Sequence, residues 1–168
     1  MSAMAHRALN PFAWLAVFSY LVALILNALP LSKENALLLP PFGLLVLFYW
    51  TQQDLRRTHF LAAVMLGLLY DAMTDTLLGL HALLFSILLF IFLRMRLRFR
   101  LAHPLQQAGV LMILLYLFQL MQLPLVYAHL HEQAWGRYFA MPLTTLIFWP
   151  LLKYLLDWLT HTPVHINE

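Results

Sequence analysis

Few side chains in this chain of 168 residues could do chemistry, and Asp71 is the most informative of them. An ionisable group at the end of an apolar segment is costly in lipid, so it tends to be paired or to line a polar cavity. Gly67 stands one turn earlier on the same helical face, where the missing Cβ lets another backbone come close. Asp75 falls at i+4 if the helix continues that far, and His81 follows. Carboxylate oxygens and an imidazole nitrogen suit a divalent metal or a proton site. The plainer reading puts Asp71 and Asp75 at outer-side water or headgroups, with His81 or a backbone N–H as partner. Three loosely spaced ligands do not outweigh it. We expect a structural or partner-contacting role here and no metal site.

Other groups carry weaker signals. Arg94, Arg96, Arg98 and Arg100 alternate with apolar residues and suit anionic lipid headgroups, a simple anchor on the inner face, or a protein partner there. His129 and His131, beside Glu132, could grip a transition metal, but with no cysteine or further histidine pattern they read as a solvated loop. Ser19, Ser86, Thr144 and Thr145 are isolated hydroxyls in apolar stretches, where such groups usually bond their own helix or a neighbour. No base stands at a defined spacing to activate them. The lack of cysteine removes disulfides, thiolate nucleophiles and cysteine-ligated metals. Gly-rich phosphate loops and the HExxH and GxSxG motifs are missing as well. Neither enzymatic activity nor a cofactor is expected.

The elements that must position these residues follow from composition. The chain is 63% hydrophobic and 10% charged, whereas soluble domains are about half apolar and a quarter charged. A membrane-crossing helix uses about 18–20 residues, so the apolar material suffices for five or six crossings and leaves little outside the bilayer. The excess of basic residues has no sizeable water-facing element to gather on, which argues against nucleic acid as a partner. We predict an all-α polytopic membrane protein: one integral membrane domain over 1–168, with six transmembrane helices at about 12–29, 37–53, 59–74, 76–93, 105–127 and 138–159. The first run is long for a signal peptide and lacks a small-residue cleavage site, so it reads as an anchor. The second carries Pro40-Pro41, which favour a helix start, and is short enough to be tilted, broken or re-entrant. Residues 73–78 read as a tight turn, and Arg94 to Pro104 as the clearest loop. Pro124 predicts a kink or stop, and Pro150 a kink.

An even number of crossings puts both termini on one side. With that side cytoplasmic, it receives Arg7, Arg56, Arg57, the four alternating arginines and a snorkelling Lys153, against Lys33 and Arg137 outside. Trp14, Tyr49, Trp50, Tyr127, Trp135, Tyr138 and Trp158 fall near segment ends, as interfacial belts require. Trp149 falls mid-segment and must face a partner helix or find an acceptor for its N–H.

Six apolar segments, Pro40 followed by Tyr49-Trp50, Gly67-x3-Asp71, Gly79-x-His81-Ala82-Leu83 and Trp149-Pro150 together resemble the MreD family, integral membrane subunits of the bacterial rod-shape (elongasome) system. The resemblance implies a six-helix fold similar to the S-components of energy-coupling-factor vitamin transporters, and no catalysis. It implies a scaffold in the bacterial inner membrane that binds and positions MreC, a bitopic protein, alongside MreB, RodA and the elongation transpeptidase, and so regulates cell shape and peptidoglycan synthesis. It also implies that Gly67, Asp71 and Gly79 shape the turn and packing at the outer mouth, with Tyr49 and Trp50 at the inner end of segment two. Histidine at position 81 stands where a fixed positive charge can occur in the family, and Asp75 where a small residue is expected. The alternative function is a small-molecule-binding, S-component-like transport subunit, which needs a cavity with convergent polar groups. Asp71, Asp75, His81, Gln119 and Gln122 are the candidates for it.

Overall fold

The computed structural model describes residues 11–28, 38–54, 58–74, 76–126 and 135–160, and these form six helices. They are α1 (Pro11–Ala28), α2 (Phe42–Gln53), α3 (Phe60–Thr74), α4 (Leu80–Leu101), α5 (Pro104–Val126) and α6 (Trp135–Thr160). Among the described residues, α4, α5 and α6 are long and apolar enough to cross a membrane, while α1 and α3 contribute shorter apolar stretches.

The shortest helix lies at the centre. At 1.5 Å per residue α2 is only about 18 Å long. Every residue from Phe42 to Gln52 is buried, and α1, α3, α4 and α6 all pack against it. A helix apolar on all sides has no face to offer water and is enclosed by its neighbours. Its start obeys the prolines: Pro41 caps it, and the Pro41 carbonyl accepts from the N–H groups of Leu44 at 2.9 Å and Leu45 at 3.2 Å. Helices α3 with α4, and α5 with α6, form the two closest-packed pairs. An aromatic series runs down α4 and crosses to its neighbours, Phe48 to Phe92 at 4.6 Å, Phe92 to Phe99 at 4.8 Å and Phe99 to Trp149 at 5.7 Å between ring centres. The outward faces are apolar too, with Trp14, Phe18, Ile25, Ile147 and Leu151 exposed, as suits a protein whose solvent is lipid.

The basic run is not a loop. Helix α4 begins at Leu80 and carries Arg94, Arg96, Arg98 and Arg100 within its last two turns. Arginine, leucine and methionine are all strong helix formers, and alternation of charge does not interrupt them. Pro104 sets the boundary instead: α4 stops at Leu101, the Ala102 N–H reaches the Phe99 carbonyl at 3.1 Å, and the proline opens α5 at the position where its missing N–H costs nothing. The loop shrinks to Ala102 and His103. The predicted turn at 73–78 is shifted in the same way, with α3 continuing to Thr74 and α4 opening after Gly79. Pro124 does not stop α5, and α6 runs unbroken through Pro142 and Pro150.

Candidate functional site

The end of α3 and the start of α4 are clasped by one carboxylate. Asp71 is fully buried, and its oxygens accept four hydrogen bonds. Oδ2 takes the Gly79 N–H at 2.7 Å. Oδ1 takes the His81 N–H at 3.1 Å, the Thr76 hydroxyl at 3.0 Å and the His81 ring Nδ1–H at 2.6 Å. Asp71 thus caps α4 from the neighbouring helix, supplying a negative charge to an N-terminus whose own cap residue, Gly79, has no side chain to give. Gly79 takes a left-handed conformation with φ +94°, which glycine adopts without steric cost. One turn below, Gly67 makes the approach possible. A Cβ there would lie 2.3 Å from the Ala82 Cα and N and 2.6 Å from the His81 carbonyl carbon, inside the backbone of α4.

His81 connects this clasp to a third helix. With Nδ1–H given to the carboxylate, Nε2 of the neutral ring accepts from the Gln122 side-chain amide on α5. The ring is enclosed by Tyr70 at 4.6 Å, Phe118 at 5.9 Å and Phe85 at 6.0 Å. A charge left unpaired among aromatic rings would be strongly destabilising, and a fully bonded one locks its neighbours in place. The arrangement acts as a brace between α3, α4 and α5. Among the described residues no three histidine or acidic side chains gather as a metal would require.

The opposite end of the bundle holds a second set of polar contacts. Gln107, fully buried at the start of α5, donates to the carbonyls of Phe99 at 2.9 Å and Ala102 at 3.1 Å, satisfying the end of α4. Its Oε1 accepts from Trp149 Nε1 and from Lys153 Nζ, both at 3.1 Å. Trp149 therefore finds the acceptor its mid-helix position demands. Tyr49 donates to Asp157 at 2.7 Å, and Trp50 donates to Ser19 at 2.8 Å, whose hydroxyl in turn donates to the Ala16 carbonyl at 2.7 Å.

Several expected roles change as a result. Tyr49 and Trp50 lie at the end of α2 but are buried, so they join helices and do not belong to an interfacial belt. Tyr138 is buried as well, donating to the Gln119 carbonyl at 2.9 Å while the Gln119 amide donates to the Tyr138 carbonyl. Trp14 and Trp158 are exposed as a belt requires. Asp71 faces protein, not outer water, and takes both kinds of partner expected of it. Of the polar residues considered for a cavity, Gln122 reaches His81 and Gln119 does not. Pro40 is buried just before α2, next to Leu39, while Leu38 accepts the Thr144 hydroxyl of α6 at 3.0 Å. Pro150 stays within helical α6. Ser86 and Thr144 donate to carbonyls of their own helices, as isolated hydroxyls do. Asp75, His129, His131, Glu132, Tyr127, Arg7, Arg56, Arg57 and Lys33 lie outside the described residues. Sequence reasoning missed Gln107 and Asp157 as partners. The only available signal for Gln107 was an amide just after His103-Pro104, where a helix must both end and begin.

Among the described residues, three helices long and apolar enough to cross a membrane, apolar outward faces, and interhelical hydrogen bonds from buried groups such as His81 and Gln107 together point to a helical membrane protein. The chain belongs to the MreD family: the family described as rod shape-determining protein MreD matches residues 8–158, nearly the whole chain. No curated protein and no solved structure matches it. MreD proteins form a shape-determining membrane family, and association with the rod-shape complex follows from membership.

Proposed function

We propose that this protein is a noncatalytic scaffold of the cell-wall elongation machinery in the bacterial inner membrane, where it binds and positions a single-pass MreC-like partner beside MreB, RodA and the elongation transpeptidase. In this reading the chain crosses the membrane six times with both termini cytoplasmic, organised like an S-component. The observation that carries it, within the family, is where the polar groups go. Asp71, His81 and Gln122 turn to one another, which suits a rigid bundle presenting a shaped surface and engages three of the five polar residues considered for a ligand cavity. Pro40, Tyr49, Trp50, Gly67, Asp71, Gly79, His81, Trp149 and Pro150 hold that surface in shape. A partner helix packs on it by close van der Waals contact and a few interhelical hydrogen bonds.

Photo-crosslinkers at the outward-facing positions Leu69, Leu83, Ile147 and Leu151 in intact cells test the proposal, since Gly67, Asp71 and Trp149 are enclosed and would not tolerate a bulky side chain. The expected outcome is capture of one bitopic protein from some of these positions, together with loss of rod shape on deletion of the chain. If gentle detergent extracts repeatedly yield the chain alone, and crosslinking captures nothing, the scaffold reading fails.

A further inference from the structure

Lipid meets this bundle along two different lengths of apolar surface. On α3 the exposed apolar residues run from Phe60 to Met73, and the exposed Thr74 and Thr76 follow. Thirteen steps of helix cover about 20 Å. On α4, which packs against α3, the apolar stretch from Leu80 ends at the exposed Arg94, about 21 Å along. Leu83 and Phe90 face outward within it. Side chains on a helix lean toward its N-terminus, and the Arg94 guanidinium does so, 5.1 Å from the centre of the Phe90 ring. The charge is thus drawn back toward the middle of the span and not out toward water. On α6 a stripe of exposed apolar residues, Phe139, Leu143, Ile147, Leu151, Leu155 and Trp158, covers about 28 Å. No exposed charge interrupts it, because Lys153 is half-buried against Gln107 and Asp157 half-buried against Tyr49.

The lengths on α3 and α4 agree with each other and fall short of the hydrocarbon, which is about 30 Å deep, while the stripe on α6 matches it. A span too short for its bilayer thins the lipid or recruits a neighbour, and tilting would only shorten it further. A second copy related by a two-fold axis along the membrane normal would set Arg94 and Arg98 near their own counterparts. We propose that the α3–α4 pair is a lipid-facing surface that thins the bilayer beside it. The lipid is drawn in to Arg94 at one end and to the α3–α4 turn at the other, leaving about 20 Å of hydrocarbon there and about 30 Å against α6. Headgroups and water then meet Arg94 at its own level, where a charge left in hydrocarbon would be costly. The last two turns of α4, with arginines and leucines both exposed, lie in the headgroup layer, which accommodates either. The inference rests on α3 and α4 crossing the membrane, as the scaffold reading has them, and needs no protein partner.

Relative heights within the bundle provide the test. Helices α4 and α6 run the same way: His81 and Tyr138 near their starts both meet the far end of α5, and Phe99 and Trp149 touch further along, 5.7 Å between ring centres. Leu151, two residues past Trp149, therefore stands about 6 Å nearer the cytoplasmic end than Leu97, two residues short of Phe99. In a bilayer of even depth Leu97 is the deeper of the two, and thinning reverses the order. The chain has no cysteine, so Leu77→Cys, Leu83→Cys, Leu97→Cys and Leu151→Cys can each be nitroxide-labelled in the full-length protein. All four positions are exposed. In dioleoylphosphatidylcholine vesicles, collisions with oxygen mark hydrocarbon and collisions with a water-soluble nickel chelate mark the headgroup layer. Labels at 77 and 97 should meet the chelate, and labels at 83 and 151 oxygen, so that hydrocarbon covers about 20 Å of α4. Oxygen at 97 with chelate at 151 is the even-bilayer order and overturns the proposal. Oxygen at 77 with chelate at 97 means that the molecule tilts in a bilayer of ordinary depth, which overturns it as well. Protection of 83 from both reagents overturns it in favour of a second copy covering the pair. Chelate at all four positions refutes the crossing itself, and with it the six-crossing reading.

Discussion

Two residues of the clasp have roles that can be separated. Gly67 is needed for its lack of a side chain, because the atoms a Cβ would strike belong to backbone and cannot swing aside. Gly67→Ala should lower stability by at least about 2 kcal/mol, the cost of overpacking against a rigid neighbour. Gly109→Ala, at a helical position with nothing within 4 Å, should be neutral or slightly stabilising. Thermal unfolding of the two variants in the same detergent checks the contrast. Asp71 is needed for its acceptors. Asparagine offers one carbonyl oxygen where the carboxylate offers two, so Asp71→Asn leaves at least one of the Gly79, His81 and Thr76 donors unpaired at a cost of about 1–3 kcal/mol. A melting temperature equal to that of the parent chain would show that the clasp contributes nothing. The sequence suggested that Asp71 is paired, and suggested His81 among its partners, because charge in lipid demands one. Gln122 on a helix far along the chain was not identifiable as the third member, since its meeting with His81 depends on how α5 is rotated.

At the level of elements, one side chain fastens the end of α4 to the start of α5 and to α6. Gln107 answers two carbonyls at the end of α4 and receives two donors from α6. Gln107→Leu should therefore destabilise the bundle more than Trp149→Phe, which removes one donor and leaves Lys153 on the same oxygen. About 1 kcal/mol is expected for the tryptophan change beyond its lost volume, and several for the glutamine. Amide hydrogen exchange should show faster opening at the α4–α5 turn in the glutamine variant alone. Equal exchange in the two would mean that the turn is held by Pro104 and apolar packing. The boundaries of these helices were partly legible: Pro41 and Pro104 start helices by a local steric rule that requires no neighbour. The arginine run was misjudged because charge was taken as a sign of a loop, whereas backbone propensity favours helix straight through it.

For the whole molecule, the decisive measurement is topology. If the chain crosses six times, reporters fused to either end should both be active only on the cytoplasmic side, and substituting the four alternating arginines by glutamine should produce mixed orientations. A reporter at either terminus that is active outside would refute the six-crossing arrangement. What the sequence determined alone is what depends on sums over short windows. Membrane residence, all-helical class and approximate segments all follow from local hydropathy. Tertiary structure alone decided that the short second segment is the enclosed centre, that Tyr49 and Trp50 face inward, and which glutamine serves which helix. The helices are too uniformly apolar to mark their own inner faces. In lipid, where an outward leucine and an inward one have equally apolar surroundings, rotation and register are set by close packing and by a few hydrogen bonds between residues distant in sequence.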